Sequence, residues 1–122
     1  MNAAVAAGVR RYVMVSWIGS KADHGVAPEN SFFAYADAKL AADEHLRASG
    51  LDWTILAPGT LTLDEPSGGI ALDPEGAGEV SRADVAAVIA AALDDPAATI
   101  GQTIRFGAGD VPIADALRSL AD

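Results

Sequence analysis

A chain of 122 residues, 51% of them hydrophobic and none of them cysteine, has material for one compact domain and not two. Without cysteine it has neither a disulfide framework nor thiolate chemistry, and two histidines alone are poor material for a structural metal site. Seventeen acidic against eight basic residues give a formal net charge of -9, which repels nucleic-acid phosphates and anionic lipid and argues against both as partners. The apolar run at residues 3–9 is short, interrupted by Gly8 and not preceded by basic residues; it is expected neither to span a bilayer nor to act as a leader, which points to the cytoplasm.

In chain order, residues 2–8 read as the last turns of a helix closed by Gly8, a usual C-terminal capping residue. Residues 12–17 (Tyr-Val-Met-Val-Ser-Trp) form an apolar run without alternation, as expected of a strand buried on both faces of a parallel sheet. Residues 18–31, rich in Gly, Pro and Asp, read as a loop. From Phe32 to Ser49 the pattern is helical, with Tyr35, Lys39, Ala42 and Leu46 on one stripe and Gly50 closing it. Trp53–Ala57 is a second buried strand, stopped by Pro58-Gly59. Residues 60–79 look irregular, with one short strand near Gly69–Leu72; a stretch of that length is functional or partly ordered. Ser81 and Asp84 are spaced as a variant capping box for a helix through Val85, Val88, Ile89 and Leu93. Gln102–Phe106 is a third strand, and Pro112 opens a last helix carrying Ile113, Ala116, Leu117 and Leu120. Helices and strands alternate, which predicts a single α/β domain over residues 1–122 with about three parallel strands and flanking helices.

Tyr35 and Lys39 form a Tyr-x-x-x-Lys spacing that puts phenol and ammonium on one helix face. An ammonium one turn away favours negative charge on a phenol oxygen, and such a phenol can exchange a proton with a substrate oxygen while hydride moves at the adjacent carbon. The ammonium can also bond the ribose hydroxyls of a nicotinamide nucleotide. Tyr and Lys four apart are common on half-exposed helices with no chemistry at all, and taken alone the pair favours that reading. Ser16 ends the first strand and Pro58-Gly59 ends the second at the same sheet edge, where open α/β sheets bind ligands. Taken singly, Ser16 reads as a loop hydroxyl and Pro58-Gly59 as strand punctuation; their joint placement with Tyr35 and Lys39 makes a candidate crevice. Gly76-Ala77-Gly78 and Gly107-Ala108-Gly109 read as loop glycines, and His24, His45 and Asp64-Glu65 as solvated.

Residues 6–16 resemble the helix-to-strand passage of atypical short-chain dehydrogenase/reductases of the NAD(P)H-binding, NmrA-like type. Tyr35-x-x-x-Lys39, the segment from Ala42 through Gly50 to Pro58-Gly59, and Ser81-Arg82-x-Asp84-Val85-Ala86 are similar to that family's following segments. The resemblance implies the C-terminal half of a doubly wound Rossmann sheet, with NAD or NADP as cofactor. It implies Tyr35 and Lys39 at the family's catalytic positions, Tyr35 as acid/base and Lys39 as its tuning and ribose-binding neighbour; their shared edge then gives Ser16 the role of orienting the substrate and puts Pro58 and Gly59 beside the cofactor. The sequence departs from the family's pattern in three places: it has no G-x-x-G-x-x-G segment of the first βαβ unit, Ala57 stands where Arg is common, and Trp17 stands where a small hydroxyl residue is common.

Two functions from different classes follow: an NAD(P)-dependent oxidoreductase segment whose activity depends on the half that holds the pyrophosphate, or a non-catalytic dinucleotide-sensing or interaction module. A truncated product without independent function is the third reading. In the family's sheet, further strands would cover one side of the strand at 12–17. That edge is therefore expected to pair with a second copy or with a companion chain.

Overall fold

The computed structural model describes residues 2–18, 33–74 and 78–121. In chain order these form α1 (Asn2–Ala6), β1 (Arg11–Val15), α2 (Phe33–Arg47), β2 (Asp52–Pro58), β3 (Thr60–Thr62), β4 (Gly69–Leu72) and β5 (Glu79–Ser81). Then come α3 (Arg82–Asp94), α4 (Pro96–Thr99), β6 (Gln102–Ala108), β7 (Val111–Pro112), α5 (Ile113–Arg118) and a closing 3-10 turn at Ser119–Ala121. Most of the expected loop at 18–31, including His24, lies outside the described residues, as do Gly76 and Ala77. Among the described residues no helix is long and apolar enough to cross a membrane.

The main sheet has the order β1-β2-β6-β4-β7. β1, β2 and β6 are parallel, in the registers Val15↔Leu56 and Leu56↔Ile104. Side chains alternate across this sheet and feed two cores. On one face Tyr12, Met14, Trp53 and Ile55 meet Leu46 of α2 and Leu51. On the other, Val13, Leu56, Ile104 and Phe106 meet Val85, Val88 and Ala92 of α3 and Ile113, Ala116 and Leu117 of α5. The strands are near-continuous apolar runs because helices cover both faces. Gly50 ends α2 at φ +79°, a conformation that costs a side chain with Cβ dearly.

Three expectations change. The first strand ends at Val15 rather than Trp17, although its ladder continues through Ser16 N–H to the Leu56 carbonyl (2.7 Å) and Ile18 N–H to that of Pro58 (2.9 Å). Residues 60–79 are more ordered than their composition suggests. They hold β3 and β5, which pair with each other in parallel, and β4, which pairs antiparallel with β6 and prolongs it to Ala108. The close approach of β4 explains the glycines there: a Cβ on Gly69 would lie 2.6 Å from the Gly109 carbonyl oxygen, and one on Gly109 would lie 2.5 Å from the Ala71 nitrogen. Pro112 closes β7 as N-cap, so α5 begins one residue later than expected.

Half of the expected capping box forms at α3: the Asp84 N–H donates to Ser81 Oγ at 3.0 Å, while the Asp84 carboxylate meets the Ser81 hydroxyl rather than its backbone N–H. That carboxylate has further donors. It accepts from the backbone N–H groups of Ser67 and Gly68 (both 3.0 Å at their shortest) and from the hydroxyls of Ser81 (3.0 Å) and Ser67 (3.2 Å). Burial opposes its charge, but these donors together outweigh burial and hold its pKa below the usual carboxylate range. Asp84→Asn keeps the shape and removes the charge; it is expected to cost about 2–3 kcal/mol near neutrality, read by urea unfolding. Because the folded pKa is lowered, this stabilisation is complete above the ordinary carboxylate range and fades as pH falls through the folded value. Melting curves of wild type and Asp84→Asn should therefore start to approach each other as pH falls below about 4 and meet only below the lowered folded pKa.

Candidate functional site

The carboxyl ends of β1 and β2 meet the first half of α2. Tyr35, Lys39 and Asp43 lie one turn apart along α2 toward this edge, and burial deepens from the first to the third. Tyr35 is 46% exposed, Lys39 is half-buried, and Asp43 is 1% exposed. The stripe expected through Tyr35, Lys39, Ala42 and Leu46 is thus turned slightly. Its buried positions are Ala36, Asp43 and Leu46, while Ala42 is half-buried. The reason is polar: Ser16 on the strand offers Asp43 a hydrogen bond that a purely apolar register would waste.

Ser16 is buried, and its hydroxyl donates to Asp43 Oδ2 at 2.9 Å. Lys39 Nζ donates to the Val15 carbonyl at 3.2 Å and lies 5.9 Å from the centre of the Tyr35 ring. Ser16, Lys39 and Tyr35 therefore gather at the end of β1. Pro58 and Gly59 are buried at the adjoining end of β2, with the Pro58 carbonyl accepting from Ile18 and the Gly59 N–H donating to the Phe106 carbonyl (3.0 Å). The Pro58 carbonyl and the Gly59 N–H are thus engaged in the sheet. His45 is exposed, 3.4 Å from the Asn2 side chain, and Asp64 and Glu65 are exposed in the loop after β3. Among the described residues no cluster of three or more His, Asp or Glu is placed to hold a metal ion.

Sequence reasoning missed two residues here. Asp43 had a signal, since it follows Lys39 by one turn on the same face. Arg105 of β6 had a subtler one. It sits between Ile104 and Phe106, both buried against α3 and α5, so alternation turns Arg105 toward the α2 face. Its register partner is Ala57, and its guanidinium donates to the carbonyl of Ile18.

The arrangement offers a phenol for proton exchange and an ammonium whose remaining N–H groups suit hydroxyl acceptors. These donors fit the nicotinamide-ribose end of NAD(P). They supply no pyrophosphate cradle: the sequence holds no G-x-x-G-x-x-G segment, and Gly109 is taken up by strand packing against Ala71. Ser16 acts on the site through Asp43, tying α2 to β1. Ser16→Ala leaves a carboxylate buried with one donor fewer, an expected loss of about 1–3 kcal/mol in urea unfolding. Faster amide exchange along Tyr35–Arg47 than along α3 should accompany it.

Comparison with known proteins gives the family and the fold. Residues 1–96 match the NAD(P)H-binding family. An uncharacterised sugar epimerase of Bacillus subtilis (strain 168) is 38% identical over 98% of this chain and 55% of its own length. Two solved structures superpose with a TM-score of 0.87 over 97% of this chain and 55% of theirs. One is a proposed NAD-dependent epimerase/dehydratase from Bacillus halodurans, 37% identical; the other is the oxidoreductase ylbE from Lactococcus lactis, 33% identical. The chain spans about half the length of the curated relatives it matches. Its mixed α/β architecture is that of Rossmann-fold NAD(P)-binding proteins over that half, and the chain belongs to the NAD(P)H-binding family.

Proposed function

We propose that this chain carries the acid/base face of an NAD(P)-dependent oxidoreductase site. The observation that carries this reading is the Lys39 ammonium, anchored on the Val15 carbonyl at 3.2 Å and held 5.9 Å from the Tyr35 ring, at the carboxyl end of a parallel strand. NAD(P), when bound, supplies or accepts the hydride. Tyr35 gives a proton to the substrate oxygen in reduction or takes it in oxidation, and Lys39 reaches ribose hydroxyls. Ser16 and Asp43 position both by fixing α2. The relatedness to an oxidoreductase and to a proposed epimerase/dehydratase supports nicotinamide chemistry at this edge. Tyr35→Phe is expected to lower kcat about a hundredfold or more with an intact fold, measured with NADPH or NADH and a carbonyl substrate. An unchanged kcat would remove Tyr35 from the acid/base role.

A second reading, a dinucleotide-binding interaction module, is favoured by the state of β1. All five of its residues are only half-buried, whereas residues 54–58 of the adjacent strand are fully buried. Among the described residues β1 pairs with β2 alone. An apolar strand with an open edge is a template for pairing, and we propose that this edge takes a second copy of the chain or a companion segment bearing the preceding strands. Sedimentation of the isolated chain at micromolar concentration is expected to show association. A stable monomer would count against pairing with a second copy. NADPH titration of the same sample separates the readings: binding without turnover supports the module.

A further inference from the structure

The row that ends the three parallel strands on the α2 face is Ser16, Ala57 and Arg105. Ala57 is the register partner of Arg105, and Ser16 continues the ladder one step past Val15↔Leu56. Arg105 is half-buried, and its guanidinium donates to the Ile18 carbonyl, two residues beyond Ser16. To reach it the side chain must pass across β2. Adjacent strands lie about 4.8 Å apart, so the guanidinium spans two strand spacings. It can do so because position 57 carries only a methyl group, itself 3% exposed.

That guanidinium has five N–H donors. Its hydrogen-bonding partner among the described residues is one neutral carbonyl, and no carboxylate of those residues lies within ion-pair distance. In a chain of net charge -9, a half-buried cation at the carboxyl edge of a sheet with no counter-charge among the described residues is unusual. A planar fork of this kind matches a carboxylate or phosphate, which it can hold through two parallel N–H groups.

We propose that Arg105 is the anion-recognising residue of this site, binding a carboxylate or phosphate group of the small molecule held at the ends of β1, β2 and β6. The inference rests on the proposed site but not on its chemistry, because it is tested by binding alone. The anion has two possible sources, the nucleotide or the substrate, and two probes separate them.

Nicotinamide mononucleotide supplies a phosphate, and a short 2-oxo acid supplies a carboxylate beside a carbonyl. The methyl ester of that acid is the neutral control. Each is titrated into the full chain, followed by tryptophan fluorescence. The wild type is expected to bind at least one anionic probe at millimolar concentration. Arg105→Gln should weaken that binding about tenfold or more and leave the ester unchanged, with Arg105→Lys in between. Ala57→Leu keeps the charge but blocks its path, and should weaken the same probe. Loss confined to the mononucleotide assigns the anion to the nucleotide, and loss confined to the oxo acid assigns it to the substrate. The proposal is overturned if the wild type binds neither anion, if Arg105→Gln binds both as wild type does, or if anion and ester weaken equally. A chain that never turns over a substrate still gives each of these answers.

Discussion

Asp43 is 1% exposed, and the Ser16 hydroxyl 2.9 Å from its Oδ2 is also buried. A carboxylate in that position is costly unless it is hydrogen-bonded. The need to satisfy it sets the rotation of α2 on the sheet. Once Asp43 meets Ser16, Lys39 one turn earlier falls against the Val15 carbonyl, and Tyr35 a further turn out stands at the rim. Apolar packing alone would not choose this register so sharply. The core beneath α2 is small, built on Leu46, Leu51 and Ile55 with partly buried Tyr12, Met14 and Trp53, and such contacts tolerate a modest rotation where a buried hydrogen bond does not.

The opposite face is organised by a second buried carboxylate. Asp84 binds the Ser67 and Gly68 amides at the start of β4, and the Gly68 carbonyl in turn accepts from the Ile113 N–H at the start of α5 (3.1 Å). One charge therefore joins the N-terminus of α3, the entry to β4 and the entry to α5. This is the reason that the residues after β3 do not remain a loose loop. Their exposed part, with Leu63 and the acidic pair Asp64-Glu65, runs only to Gly68, where Asp84 captures the backbone and delivers it to the antiparallel edge of the sheet. The two carboxylates differ in what they fix: Asp43 sets the pitch of a helix bearing candidate chemistry, and Asp84 sets the path of the chain.

Strands with local, uninterrupted apolar signals were legible in the sequence. β1, β2 and β6 lie close to where their Val, Ile and Trp runs put them, and the Ser81–Asp84 spacing marks the start of α3 because a cap is a contact within one turn. β3, β5 and β7 were not legible. They are two or three residues long and owe their existence to partners distant in sequence, as Thr60–Thr62 does to Glu79–Ser81. Tyr35, Lys39, Ser16 and Pro58-Gly59 could be placed at one edge from topology alone. That Ser16 is committed to Asp43 could not, since it is a pairing across 27 residues. Nor could the meaning of Arg105, which depends on a register neighbour, Ala57, almost fifty positions away.

The basic residues sharpen the difference between the two ends of the sheet. At the amino end, Arg11 is spent on structure. Its guanidinium donates to the carbonyls of Asp52 (2.9 Å) and Ala92 (3.3 Å) and to Thr99 Oγ1 (3.0 Å), closing the C-terminal end of α3 onto β1. Burial lowers its pKa and Asp52 counters that, yet an arginine remains charged there. At the carboxyl end, Lys39 and Arg105 each donate to a single backbone carbonyl of the β1 strand or its extension, Val15 or Ile18. Between them they have more donors than these two carbonyls can use. These surplus donors set the carboxyl edge apart from the amino end, where the Arg11 guanidinium is shared among three acceptors.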